Sequence, residues 1–446
     1  MGVSKVGERY GVSIGLQKAG SGDKKDLNIF NDAAIPEFSL DIPVNQLPSG
    51  RARLVGKSAD IGDPNSGTYG VIIFQGVTGM QDANEYPIYI NTAVRTQLSQ
   101  DMSAIDITFT MGGENVQEVM EPFTVDGTSV EAMKKVLTVS DTAYTDYVSP
   151  SLRPNSVSDN MTWRFVGGNV PDHLSDVVEH AALSGDILYW SFDDVAFKFR
   201  LGTFNVSKAS KFKNFFMYTS DAITPTSGAV RRVKGCDCDV WYYAGYSPSD
   251  LSGGYREARS PNMIIDSTAA GSGKDTGVCS KECWTAILDT MGASDDYKET
   301  GSYGRQYVVK PFPSNTHKSY SITPFVRNYM LAEYSKMVRT NLYNHPGPAV
   351  GSCVHFYAAS AQLRNGDFLP DDNYTARYIV VGKRISKSAT TSAGLLGETH
   401  DTTTADMVTE LTMVSNCGYA GTMSPDYKQV IQLSESIARA LSKEKK

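Results

Sequence analysis

The chain has no long hydrophobic run. Across 446 residues, no apolar stretch approaches the roughly 20 residues that a membrane-spanning helix needs. Membrane insertion is therefore not expected. The first twenty residues hold no continuous apolar core and carry Lys5, Glu8 and Arg9, so no signal peptide is read there. Met1-Gly2 invites a myristoylation reading, but Val6 stands where that motif requires Ser or Thr. The expectation is a chain made in a cytoplasm and left soluble. A dense basic cluster is also missing. Arg231-Arg232-Val233-Lys234 is the nearest, and the net charge is −7. Gripping nucleic acid takes several phosphate contacts from a positive surface, so stable binding to it is not expected.

Catalytic signatures are scarce. The six histidines, at 173, 180, 317, 345, 355 and 400, form no HExxH or related zinc pattern. Gly11-Val12-Ser13-Ile14-Gly15 matches the nucleophile-elbow pattern, but that elbow must follow a central strand and only ten residues precede it. Gly271-Ser272-Gly273-Lys274 looks like the end of a phosphate-binding loop. The full pattern wants Gly at 268 and Ser or Thr at 275, where Thr268 and Asp275 stand. The acid pairs Asp193-Asp194, Asp295-Asp296 and Asp371-Asp372 all fall where turns are expected, and turn chemistry accounts for them. The chain does not read as an enzyme.

What is present is a large β-rich globular sequence. Hydrophobic content is 41% and charged content 20%, with 24 Tyr and 17 Phe. Tyrosine gives broad contact area with a polar tip, which suits protein–protein surfaces and β-rich cores alike. The length calls for two to four domains. Residues 1–30 are rich in Gly, Lys and Ser and read as a flexible arm. Residues 31–125 read as a small antiparallel β-barrel, with strands around Ala52–Val55, Tyr69–Val77, Tyr86–Asn91 and Ile105–Met111. Residues 126–320 read as an α+β middle domain with long loops. Its helices start at the capping box Thr128-Ser129-Val130-Glu131 and at Pro171-Asp172-His173-Leu174. A hairpin follows, Ile187–Phe192 and Val195–Phe199, and a third helix is expected from Ser280 to Met291. Residues 321–420 read as a second barrel. It opens with a helix after Thr323-Pro324 and continues with strands Met337–Tyr343, Cys353–Tyr357, Tyr374–Lys383 and Met407–Val414. Residues 421–446 read as a C-terminal helix, where Val430, Leu433, Ile437 and Leu441 form a narrow stripe. That stripe suits docking on a neighbouring chain or packing on its own domain.

Four of the six cysteines are grouped, as Cys236-Asp237-Cys238 and Cys279–Cys283. Two readings stand. They are plain buried thiols, or Cys236, Cys238, Cys279 and Cys283 close a tetrathiolate site for zinc or an iron–sulfur cluster, at a spacing that departs from the usual C-x2-C. A reducing cytoplasm argues against disulfides. Nothing else points to a cofactor.

Three segments carry a family resemblance. They are "PDHLSDVVEHAALSGDILYWSFDDVAFKFRLGTF", "SITPFVRNYMLAEYSKMVRTNLYNHPGPAVGSCVHFYAA" with its Val350-Gly351-Ser352 turn, and "LRNGDFLPDDNYTARYIVVGKRI" closed by "TADMVTELTMVSN". Over residues 120–416 their order resembles the baseplate hub proteins of contractile-tailed bacteriophages. The resemblance implies two small antiparallel β-barrels flanking a mixed domain. It also implies a homotrimer whose barrels form a ring joining a hexameric tail tube to a trimeric central spike. Wedge proteins would sit on its flank, and DNA would meet the lumen only in transit. Localisation would be the virion tail baseplate, after assembly in the host cytoplasm. A receptor- or glycan-binding tail protein is the alternative, with a metal-dependent hydrolase third. The long loops at 205–315 and the cysteine group depart from the hub plan.

Overall fold

The computed structural model of the chain describes residues 11–18, 26–58, 68–75, 85–142, 144–145, 159–181, 187–193, 198–204, 215–219, 230–231, 239–243, 246–251, 254–255, 264–266, 308–310, 327, 331, 333–343, 346–356, 358–364, 367–370, 373–388 and 407–416. The fold is mainly β. It opens with β1 (Gly11–Gln17), β2 (Leu27–Phe30), β3 (Glu37–Pro43), β4 (Ser49–Lys57), β5 (Tyr69–Gln75), β6 (Glu85–Gln97) and β7 (Met102–Met111). These seven strands pair in the order β3-β4-β7-β6-β5-β1-β2.

A mixed region follows. It contains α1 (Glu114–Gln117), β8 (Phe123–Gly127), α2 (Ser129–Val139), β9 (Tyr144–Thr145), β10 (Met161–Phe165) and α3 (Val170–His180), then the hairpin of β11 (Ile187–Asp193) and β12 (Lys198–Phe204). Both longer helices begin where local chemistry dictates. Thr128 and Glu131 form a reciprocal capping box on α2, and Asn169 and Asp172 do the same on α3, with proline in its first turn. Met133, Val136 and Leu137 of α2, and Leu174, Val177 and Val178 of α3, are buried. The hairpin keeps its expected first strand. Its second strand is described as Lys198–Phe204, with Asp193 paired to Lys198; residues 195–197 of the expected strand lie outside the described residues.

The last third adds β13 (Phe215–Thr219), β14 (Val230–Arg231), β15 (Asp239–Tyr243), β16 (Tyr246–Asp250), β17 (Ile264–Asp266), β18 (Val308–Lys310), β19 (Lys336–Tyr343), β20 (Cys353–Phe356), β21 (Ala359–Arg364), β22 (Asp367–Pro370), β23 (Ala376–Ser388) and β24 (Met407–Ser415). Eight of these continue the main sheet. Without β14, their order is β16-β19-β24-β23-β20-β13-β15. Strand for strand, in chain order, this repeats the first group. The register repeats as well. The rung Asp41–Ser49–Thr110–Tyr89–Tyr69 crosses β3, β4, β7, β6 and β5. Its counterpart Ser249–Met337–Val414–Ile379–Cys353 crosses β16, β19, β24, β23 and β20. Both 13-residue strands, β6 and β23, change register mid-strand, between Ile90 and Thr92 and between Val380 and Gly382. The repeat weakens at β13, whose neighbours run parallel to it where those of β1 are antiparallel.

Two points correct the sequence reading. Separate closed barrels were expected. Instead the two groups fuse into one sheet, because β23 pairs with β3 from Gly382↔Pro43 to Ser388↔Glu37. Among the described residues neither group closes by hydrogen bonding. β2 approaches β4, and β15 approaches β19, without pairing. The half of β23 beyond its irregularity is engaged by the other group, so it cannot seal its own. The N-terminal arm is the second correction. Val12, Ile14 and Leu16 are buried in β1, held between β2 and β5. The polar residues around this short apolar alternation hid it.

Candidate assembly surface

Eight strands of the fused sheet form a ribbon, β6-β7-β4-β3-β23-β24-β19-β16, in which every neighbouring pair is antiparallel. Side chains alternate across it, as the two-residue period of a strand requires. Phe38, Leu40, Ala52, Ile107, Ile385 and Leu411 face the core and are buried. The opposite face is polar. One rung across it reads Asn341, Glu410, Arg384, Asp41, Ser49 and Thr110. The Arg384 Nε lies 3.7 Å from Asp41 Oδ1, and Arg53 Nη1 lies 3.8 Å from Asp106 Oδ1. Thr92 and Thr108 share a hydroxyl hydrogen bond of 2.6 Å, and Asn91 donates to Thr110 Oγ1 at 2.8 Å. Exposed pairs of this kind contribute little stability. Their effect here is to set acids beside bases: Glu37 and Asp106 flank Arg53, while β4 itself also presents Arg51 and Lys57 on this face.

Three joints position the ribbon. At the first, Lys387 of β23 is buried and meets Asp32 just before β3, Nζ to Oδ1 at 2.8 Å. The same Asp32 oxygen accepts from the Val12 N–H at 3.2 Å, so one carboxylate ties β1 and β23 together. At the second, Asn45 sits in the left-handed region at φ 55. Its N–H donates to the Trp190 carbonyl and its side-chain oxygen accepts from the Trp190 N–H, both at 2.9 Å. Asparagine tolerates this conformation better than most residues. At the third, the hairpin holds the Val350-Gly351-Ser352 turn. Tyr189 OH donates to the Gly351 carbonyl at 2.9 Å, Ser191 Oγ to the Val350 carbonyl at 3.1 Å, and Arg200 Nη1 to Ser352 Oγ at 3.2 Å. Arg327 donates to the Leu188 carbonyl on the same hairpin. Two of the segments that carried the family resemblance meet at this turn.

His173 is buried against Phe123 and Phe165, with ring centroids at 6.2 and 5.1 Å, and burial lowers its pKa against the opposing pull of Asp176 and Asp172. Hydrogen bonds from the Thr128 N–H and hydroxyl lower the Glu131 carboxyl in the capping box. Burial raises Glu333. None of these sits on the ribbon's polar face.

The residues singled out from sequence fare differently. Cys236, Cys238, Cys279 and Cys283 lie outside the described residues, as do Val430, Leu433, Ile437 and Leu441 and the helix expected over Ser280–Met291. Among the described residues no group of three or more His, Cys, Asp or Glu is placed to hold a metal. Among them, too, no helix is long and apolar enough to cross a membrane. The Gly11–Gly15 motif lies inside β1, with Ser13 buried in the sheet, so it forms no elbow. The ribbon face and the Asp32, Asn45 and Tyr189 joints were not foreseen. The alternation in β24, Met407–Ser415, was their one visible signal.

No family profile matches the chain, and no curated protein sequence matches it. The solved structures similar to it include phage tail proteins. It is similar to the 43 kDa tail protein of prophage MuSo2 from Shewanella oneidensis, at 9% identity and a TM-score of 0.46, covering 91% of this chain and 97% of that one. It is similar to a tail protein from Neisseria meningitidis, at 11% identity and a TM-score of 0.44, with the same coverages of 91% and 97%. It is also similar to a prophage tail protein from Listeria monocytogenes, at 10% identity and a TM-score of 0.36, covering 97% and 99%.

Proposed function

We propose that the chain is a structural, non-enzymatic component of a contractile phage tail. In this reading it is a homotrimeric baseplate hub that joins the tail tube to the central spike, with wedge proteins on its flank. The observation that carries the reading is the ribbon. Two topologically matching strand groups merge into one sheet whose free face is polar and balanced in charge. Such a duplicated chain offers six similar units when three copies assemble, which matches a sixfold tube on one side and a threefold spike on the other.

The ribbon's polar face becomes the wall of the passage. DNA in transit meets acids and bases in alternation. Glu37, Asp41, Asp106 and Glu410 stand among the cations of the face, which limits the counterion release that would make DNA stick, and the net charge of −7 works in the same direction. Activity here is binding, through large permanent interfaces of about 2,000 Å² or more. The stripe of Val430, Leu433, Ile437 and Leu441 in the C-terminal segment would dock on an adjacent chain. The grouped cysteines would be buried thiols, or a structural zinc or iron–sulfur site.

The test is location and partnership. Electron microscopy of intact particles should place three copies around the tail axis between tube and spike. The purified chain should bind both purified tube and spike proteins. A single copy per particle, or a place at a fibre tip with binding to host glycans, would overturn the hub reading in favour of an adhesin.

A further inference from the structure

We infer that the open half of β6 pairs with β16 of a second copy of this chain, in a register fixed by the chain's own internal junction. The inference rests on the ring assembly proposed above and names the contact that would close it.

The internal repeat supplies the argument. In the second strand group, β23 pairs with β20 before its irregularity and with β3 after it. Its counterpart β6 pairs with β5 before the irregularity. After it, among the described residues, Thr92–Gln97 pair with β7 on one side only. The counterpart of β3 is β16, which among the described residues pairs only with β19. Among the described residues of one chain the β23–β3 junction is therefore made, and its equivalent, β6 to β16, is left open at the two ends of the ribbon. No single chain can bring those ends together across the intervening strands without closing the whole sheet on itself. A second copy can.

Three observations agree. First, the ribbon has an even number of antiparallel strands. Identical copies joined end to end then continue the antiparallel alternation. Second, the register can be read from the matched rungs. Val94 takes the place of Arg384 and Ser249 that of Asp41, so Val94 falls opposite Ser249 and Thr96 opposite Ser247. This keeps small side chains on the polar face. Third, Arg95 is the only charged residue of Asn91–Gln97 and Asp250 the only one of β16; both are exposed, and within the chain Arg95 Nη2 donates to the Ser58 carbonyl at 3.0 Å and Asp250 Oδ2 accepts from Tyr374 OH at 3.4 Å. In this register Asp250 lies diagonal to Arg95 on the opposite face, within reach of a long side chain. Pro248, opposite Arg95, has no N–H and withholds one bond from the rung. Residues 91–97 themselves carry no Pro or Lys to guard the edge.

The experiment is covalent trapping in the full-length chain. Val94→Cys and Ser249→Cys are introduced together, and the assembled protein is mildly oxidised. The expected reading is a ladder of dimer and trimer on a denaturing gel, absent from either single variant and weaker for Val94→Cys with Ser247→Cys. Arg95→Asp alone should reduce self-association in sedimentation. Arg95→Asp with Asp250→Arg should recover it. Assembled chains that show no cross-link above the single variants would overturn the edge pairing while leaving the hub reading intact. Chains that cross-link as stated but are missing from purified tails would uphold the pairing and sink the hub reading. A wild-type chain that stays monomeric at high concentration, alone and in particles, overturns both.

Discussion

Lys387 and Asp32 meet across 355 positions of sequence, Nζ to Oδ1 at 2.8 Å, with a second bond from the same ammonium to the Asp32 carbonyl. The lysine is almost fully buried and the aspartate only partly so. Removing the acid therefore leaves the more deeply buried charge without its partner. Asp32→Ala should destabilise the chain by about 3–5 kcal/mol, the range for a broken buried pair. Lys387→Met, which removes the buried charge and keeps the volume, should cost less. Denaturant titration of both variants checks the order. Equal losses would mean that stranding the buried lysine adds nothing beyond the loss of the pair itself.

Gly351 has φ +85, and a Cβ there would lie 2.3 Å from Tyr189 OH. Gly351→Ala should therefore strain both the backbone and the hairpin contact, costing about 2–4 kcal/mol. Tyr189→Phe should cost about 1–2 kcal/mol by leaving the Gly351 carbonyl unpaired. Because the hydroxyl is the nearest clashing atom, the double variant should be less destabilised than the two losses added. A double-mutant cycle measures that coupling, and strict additivity would refute the contact.

Asn45 performs two tasks that different substitutions separate. Asn45→Gly keeps the left-handed backbone and loses the acceptor for the Trp190 N–H. Asn45→Ala loses both. The alanine variant should fall below the glycine variant by about 1 kcal/mol, the usual cost of a non-glycine side chain in that region. Thermal melts of the two variants decide the matter.

His173 gives the fold a dependence on pH with a definite sign. Burial lowers its pKa, so the folded chain holds the ring neutral. The unfolded chain takes up a proton near pH 6.5. Its contribution is therefore fully present above that value and fades as pH falls below it. His173→Gln should be less stable at pH 7.5, yet should lose less on going to pH 5 than the wild type. A parallel decline in both proteins would remove His173 as the cause.

Deleting residues 424–446 should impair assembly with tube and spike while leaving the strand groups folded. Far-ultraviolet circular dichroism and a co-sedimentation assay read the two outcomes. Normal assembly of the shortened chain would make the Val430–Leu441 stripe a local packing element.

Local chemistry was legible in the sequence, and long-range pairing was not. The helix start at Thr128 depends on residues three apart, the second start was read at Pro171, two residues after its actual cap Asn169, and the alternation of β24 is visible in nine consecutive letters. The repeat of the two groups left no such trace. Matched positions such as Asp41 and Ser249, or Thr110 and Val414, share a place in the sheet but not a side-chain chemistry. A strand position constrains which face is apolar far more than which residue occupies it. The β1 strand was lost for a related reason: its Val12, Ile14 and Leu16 lie beside a Gly- and Lys-rich stretch whose composition dominated the reading.

The β3–β23 pairing also sets a timetable for synthesis. Its partners lie at opposite ends of the described chain, so β3 emerges from the ribosome long before β23 exists. Domains fold as they emerge, and their unpaired strands stay adhesive until their partners arrive. A chain truncated before residue 376 would present a bare β3 edge resembling the β16 edge of a finished copy. Completing translation thus decides when the β3 edge is covered, a control built into the order in which the strands are made.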